Sequence, residues 1–139
     1  MLTRRSRARE VALQLLFQHD HNPTLAREAI EAFARERLRE PNLIHFCLAL
    51  FDGVVKEEQL LDQRLNQASE NWRVPRMPTV DRNVLRLGAY ELLYTPQTPA
   101  AAVLDEAIEL ARRFGTKDST SFVNGVLDRL VNDKSQEQL

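Results

Sequence analysis

One cysteine in 139 residues, Cys47, excludes an internal disulfide framework and suits a reducing, cytoplasmic setting. Glycine and proline are scarce, four and six respectively. Most of them stand between stretches of regular apolar spacing, which is how a helical chain is punctuated. No apolar run approaches the roughly 18 residues needed to cross a bilayer, so no membrane association is expected. An excess of one charge is missing too. The net charge is −1, and any nucleic-acid face has to come from local clustering. Strand-like alternation of polar and apolar residues is absent throughout, which predicts an all-α fold. With 43% hydrophobic and 28% charged residues, the chain has the composition of an ordinary globular domain. Its length fits one domain over 1–139, large enough for a proper core.

The chemistry of enzymes is likewise missing. There is no phosphate-binding glycine loop, nucleophile elbow or dinucleotide fingerprint. His19 and His21 diverge on a helix, and His45 lies beside Cys47 in an apolar segment where a packed core histidine is expected rather than a ligand. Asp105 and Glu106 are adjacent and point differently, a poor acid–base pair. No catalytic residue, metal or cofactor is expected, and the inventory favours a binding protein over an enzyme.

What is present is a series of amphipathic helices. The first spans 4–19, with Ala8, Val11, Ala12, Leu15 and Leu16 in one stripe and Leu13 and Phe17 on a second side. Such a helix is either sandwiched within its own fold or offers its second patch to a partner. Arg4, Arg5, Arg7 and Arg9 crowd its N-terminal end, where they oppose the helix dipole. Guanidinium forks match phosphate oxygens, although a charge run is also commonly a solvated end. The opening MLTRRSRAREVALQLLF superficially resembles a twin-arginine or transit signal, but Glu10 and Gln14 interrupt its apolar part.

A second helix is expected from about Pro23 to Glu40, with Leu25, Ala29, Ile30, Phe33, Ala34 and Leu38 inward. From Leu43 the pattern is apolar nearly all round, predicting the most buried element, with an irregularity possible at Gly53. Residues 69–78, holding Trp72, Pro75 and Pro78, form the longest irregular connection. Thr79 to Tyr94 is a further helix with Asp81 in its first turn, favourable to the dipole. Gly88 in its middle implies close approach of another helix, since glycine there costs about 1 kcal/mol against alanine.

The stretch from Pro99 to Leu130 reads as two helices joined by a polar turn. Thr98 suits the N-cap, and Pro99 the first helical position. Gly115 stops the first helix, and Asp118 and Ser119 offer oxygens to cap the second. The second buries Val123, Val126, Leu127 and Leu130, and the tail over 132–139 is expected to fray. Phe122 stands about a quarter turn from this stripe, beside Gly125 and Arg129. Two readings are open for it: stacking on a nucleic-acid base, or packing against another helix of the same bundle.

Three stretches in order, RRSRAREVALQLLF (4–17), VDRNVLRLGAYEL (80–92) and DEAIELARRFGTKDSTSFVNGVLDRL (105–130), resemble the NusB family of bacterial transcription antitermination factors. The resemblance extends over nearly the whole chain and is weakest over 20–75. It implies two small helical bundles with the N-terminal helix between them. It also implies binding to boxA-like single-stranded RNA of ribosomal RNA leader transcripts, together with the ribosomal protein NusE. The pair would then act on the RNA polymerase elongation complex with other Nus factors to suppress termination.

By the same resemblance, Arg4, Arg5, Arg7 and Arg9 match the family's arginine-rich start, which contacts RNA phosphates. Asp118, Ser119 and Phe122 fall on its DS..F segment, whose aromatic lies against RNA bases. Phe17 and Asp81 occupy positions associated with the NusE-facing surface. The chain departs from the family in having Ser121 where a lysine is common and Ala100 to Ala102 where a basic residue often stands. Lost phosphate contacts weaken RNA binding and flatten its salt dependence. Two rival readings are an RNA-binding domain like that preceding the catalytic part of certain ribosomal RNA cytosine methyltransferases, and a protein-only helical adaptor. The first needs a downstream cofactor-binding domain, which a chain complete at Leu139 would lack.

Overall fold

The computed structural model describes residues 4–70 and 72–137. These form seven α-helices and one short 3-10 turn, with no strand among the described residues. They are α1 (Arg4–His21), α2 (Arg27–Arg37), α3 (Pro41–Lys56), α4 (Glu58–Ala68), α5 (Thr79–Tyr94), α6 (Ala100–Phe114) and α7 (Ser119–Glu137), with the 3-10 turn at Val74–Arg76. The helices fall into two compact units, residues 1–55 and 56–139.

In the first unit, α1 carries the expected stripe. Ala8, Val11, Ala12 and Leu15 are fully buried and Leu16 is nearly so. Leu13, on the second side, is also buried, while Phe17 is 40% exposed. The helix continues two residues further than expected, with the Asn22 N–H closing on the Gln18 carbonyl at 2.8 Å. Pro23 and Thr24 then stay in a turn, the Thr24 hydroxyl donating to Asn22 Oδ1 at 3.1 Å. Accordingly α2 begins at Arg27 rather than Pro23. It buries Ile30 and Ala34, while Ala29, expected inward, is exposed.

Two corrections concern α3. It is less buried than α1 or α5, because Leu43, Ile44, Phe46 and Leu48 are only half-buried. His45 is exposed rather than core. An all-round apolar sequence shows that a helix can be buried on every side, not that the fold supplies neighbours on every side. The helix breaks at Glu57, not Gly53, before α4 begins. Arg27 forks onto Asp52 at 2.6 and 3.0 Å and so ties α2 to α3. Cys47 is fully buried. Burial, reinforced by the Asp52 charge, pushes its thiol up to about 12, so it is an inert apolar packer at neutral pH.

The second unit packs α4, α5, α6 and α7 around Leu61, Leu65, Val84, Leu85, Val103 and Leu127. Gly88 has the reason the sequence implies. A Cβ there would stand 2.9 Å from Leu127 Cδ1 on α7 and 3.7 Å from Ala107 Cβ on α6. Arg86, 7% exposed, forks onto both oxygens of Asp62 at 2.8 and 2.9 Å and reaches Glu58 at 3.1 Å. A guanidinium this buried is tolerable only because its donors meet carboxylates. Arg129 donates its Nε–H to the Ala68 carbonyl at the end of α4, satisfying an orphaned helix-end acceptor. Pro99, not Thr98, stands at the α6 N-cap. The last helix runs on through Glu137, into the tail expected to fray, while residues 138 and 139 lie outside the described residues.

Candidate nucleic-acid interface

The polar turn between α6 and α7 is built around Ser119. Gly115 ends α6 with φ −96° and ψ −164°, so glycine is not there for a left-handed conformation. It is there for space. A Cβ at Gly115 would stand 2.4 Å from Ser119 Oγ, 2.6 Å from Ser119 Cβ and 2.8 Å from the Ala111 carbonyl oxygen. Nor does Ser119 simply cap α7. Its oxygen accepts the Thr116 N–H at 3.0 Å, and its own proton goes to Asp81 Oδ1 at 2.7 Å. Both Asp81, at 6%, and Ser119, at 1%, are buried. A hydrogen bond to a charged acceptor contributes about 1.5–3 kcal/mol, which pins the turn to the start of α5.

Beside this turn lies an open depression of about 520 Å³. Phe122 and Trp72 supply aromatic surface, Arg76 a cation, and Asp118, Asp81 and Thr116 polar groups. Phe122 is half-buried, and Trp72 is 50% exposed. The Arg76 loop is held on α4 by the Val74 N–H, which donates to Asn66 Oδ1 at 2.8 Å. Arg129 is occupied at Ala68, so Arg76, not Arg129, is the basic side chain sharing the depression with Phe122. Aromatic rings with a neighbouring guanidinium form a surface on which unstacked bases can lie.

The arginine cluster belongs to the first unit. Arg4, its side chain 78% exposed, pairs with Glu40 at 2.8 Å, a contact of small energetic weight at a solvated site. Arg5 is exposed, its Cζ 4.6 Å from the Phe46 ring centroid. Arg7 pairs with Glu10 at 3.1 Å and keeps 40% of its side chain exposed. Arg9 is only 6% exposed, 5.2 Å from the same Phe46 ring. Phe17, also in this unit, stacks on His21 at 4.7 Å between ring centroids. The His21 Nδ1 lies 2.9 Å from the Phe17 carbonyl oxygen.

Comparison with known proteins decides the family. Residues 6–132 match the model of the NusB family. The chain is 44% identical over 129 residues to the transcription antitermination protein NusB of Sorangium cellulosum, covering 93% of this chain and 92% of that one. The chain belongs to the NusB family. A solved structure of NusB from T. maritima is 34% identical, with a TM-score of 0.84 and full coverage of both chains. A structure of antitermination factors NusB and NusE in complex with double-stranded RNA has a TM-score of 0.85 over 96% of this chain and 99% of that one. At 23% identity, that likeness is one of fold.

Within this NusB-family fold, the residues singled out from the sequence separate by exposure. Asp118 is exposed, Phe122 is half-buried, and Ser119 is internal between them. Arg4 and Arg5 are open to solvent, Arg7 in part, and Arg9 is packed. Phe17 is exposed, whereas Asp81 is buried with one oxygen committed to Ser119. Sequence reasoning missed Trp72 and Arg76. The signal was present in WRVPR (72–76), where an aromatic sits among arginines, but the segment has no periodicity to say which way its side chains face.

Proposed function

We propose that this protein binds boxA-like single-stranded RNA of nascent ribosomal RNA transcripts together with NusE. In this reading it acts with other Nus factors on the RNA polymerase elongation complex, in the cytoplasm, to suppress termination. The observation that carries the proposal is the half-buried Phe122 ring sharing an open depression with Trp72 and Arg76. Its support beyond geometry is family membership and relatives named as transcription antitermination proteins. A fold neighbour solved with NusE and double-stranded RNA adds support for RNA and NusE as the classes of partner. Phe122 stacks on a base, and Asp118 and Ser119 belong to the turn that presents it. Arg4, Arg5 and Arg7 meet phosphates from the outside, with Arg9 packed behind them on Phe46. Toward NusE, the reading assigns Phe17, an exposed ring, and Asp81, which is buried with one oxygen committed to Ser119.

The exposed cation count near Phe122 is small. Ser121 and Ala100 to Ala102 supply none, and Arg73, Arg76 and Lys117 are the exposed cations on the two loops that line the depression. The protein alone is therefore expected to bind boxA-like RNA weakly, with a shallow salt dependence, and more tightly once NusE is bound. Titration of the RNA by fluorescence anisotropy, with and without NusE, checks this. Equal affinity in both titrations counts against the proposal.

A further inference from the structure

An aspartate in the first turn of a helix ordinarily faces water and the helix N-terminus. Asp81 does neither freely. Its Oδ1 takes the hydroxyl proton of Ser119, 38 residues later in the chain, at 2.7 Å. Because the charged acceptor claims that proton, the lone pairs of Ser119 Oγ are left for the Thr116 N–H, which donates at 3.0 Å. The three groups form a directed relay of carboxylate, hydroxyl and amide, in which each bond fixes the orientation needed for the next. At its far end Thr116 lines the depression, and Phe122 follows Ser119 by three residues, on the same first turn of α7. Gly115 permits the arrangement, since a Cβ there would displace Ser119 Oγ.

We infer that Asp81 is a positioning residue for the RNA-facing ring, acting through Ser119 on the Thr116–Phe122 turn without touching the RNA. The inference rests on the reading of Phe122 as RNA-facing. With the relay intact, the turn holds one arrangement. With it cut, the turn spends time in others, and apparent affinity falls with the competent fraction.

The test measures binding of boxA-like single-stranded RNA to the full chain carrying Asp81→Ala, Ser119→Ala, both together, Asp81→Asn, or Phe122→Ala. Each is assayed well below its own Tm and across a salt series. Asp81→Ala and Ser119→Ala are each expected to weaken binding about fivefold, as the competent fraction of the turn falls once the hydrogen bond to the charged acceptor is lost. The double variant should be no weaker than either single one, because both cut the same link. Asp81→Asn should recover most of the binding, since its amide oxygen still accepts from Ser119, as a weaker neutral acceptor. The salt slope should be unchanged, because no phosphate contact is lost. Amide exchange at Thr116 should speed up in both alanine variants without RNA present. If Asp81→Ala does not fold, Ser119→Ala, which deletes one oxygen, reads the same link.

Unchanged affinity in both alanine variants while Phe122→Ala weakens binding overturns the inference and leaves the RNA-facing reading standing. Loss in Asp81→Asn equal to that in Asp81→Ala, with a changed salt slope, overturns it too, because the charge itself would then be the contact. No effect of Phe122→Ala overturns the RNA-facing reading and this inference with it.

Discussion

Replacing Phe122 with alanine is expected to weaken RNA binding by about 1–3 kcal/mol, roughly 5- to 150-fold, which is what one base–aromatic stack contributes. Stability should change little. Phe122 is half-buried and lines an open depression, so its truncation lacks the cavity cost of about 3–5 kcal/mol that a core phenylalanine carries. Its α7 neighbours Val123, Val126 and Leu127 are fully buried and hold the helix in place without it. Anisotropy titration and thermal unfolding of the same sample separate the two roles. A Tm that falls by many degrees with RNA binding intact makes Phe122 a packing residue, the second of the two readings its helical angle leaves open.

Charge reversal at the start of α1 is expected to have a comparable effect through different physics. Arg5→Glu combined with Arg7→Glu removes two phosphate partners and sets two negative charges in their place. On a single strand each lost contact lowers the slope of log K against log salt by about 0.7, so two lower it by about 1.4. At 0.1 M salt this amounts to a loss of roughly 25-fold before repulsion is added. The helix itself should tolerate the change. Four arginines there oppose the dipole, and acidic residues in the first turn are favoured by about 0.3–1 kcal/mol each. That offsets the like-charge contact with Glu10, worth about 0.2–0.5 kcal/mol. Arg9 is left alone because it is packed at Phe46. Filter binding across a salt series checks the expectation. Unchanged affinity and slope would reduce the cluster to a solvated helix end, as the adaptor reading requires.

How much of this was legible in the sequence depends on what each residue's position expresses. The second unit reads well because its signals are periodic and local. Val84, Leu85, Leu87 and Leu92 repeat at helical spacing, and Gly88 marks the close passage of α7. Gly115 marks the end of α6, although for room beside Ser119 rather than for backbone freedom.

Polar residues read poorly, because their type does not reveal whether a partner waits inside. Asp81, Ser119, Arg86 and Arg9 are all buried. Their partners, such as Asp62 for Arg86 and Ser119 for Asp81, come from segments far off in the chain. The same holds for Arg129, whose helical angle put it near Phe122 but whose guanidinium serves the end of α4. His45 misled in the opposite sense, since an apolar neighbourhood in sequence did not bury it. Half of the depression's lining, Trp72, Arg76, Met77 and Pro78, lies in a connection with no repeat, where only the fold decides which side chains face one another.

Trp72 also supplies the most direct test. It is the one tryptophan of the chain, half-exposed on the wall of the depression that holds Phe122. Titrating boxA-like single-stranded RNA into the protein should quench Trp72 emission saturably, with the same midpoint that anisotropy reports for the RNA, because a base seated beside Phe122 stacks within reach of the indole. Saturated RNA binding with Trp72 emission unchanged would place the RNA elsewhere on the molecule and contradict the account.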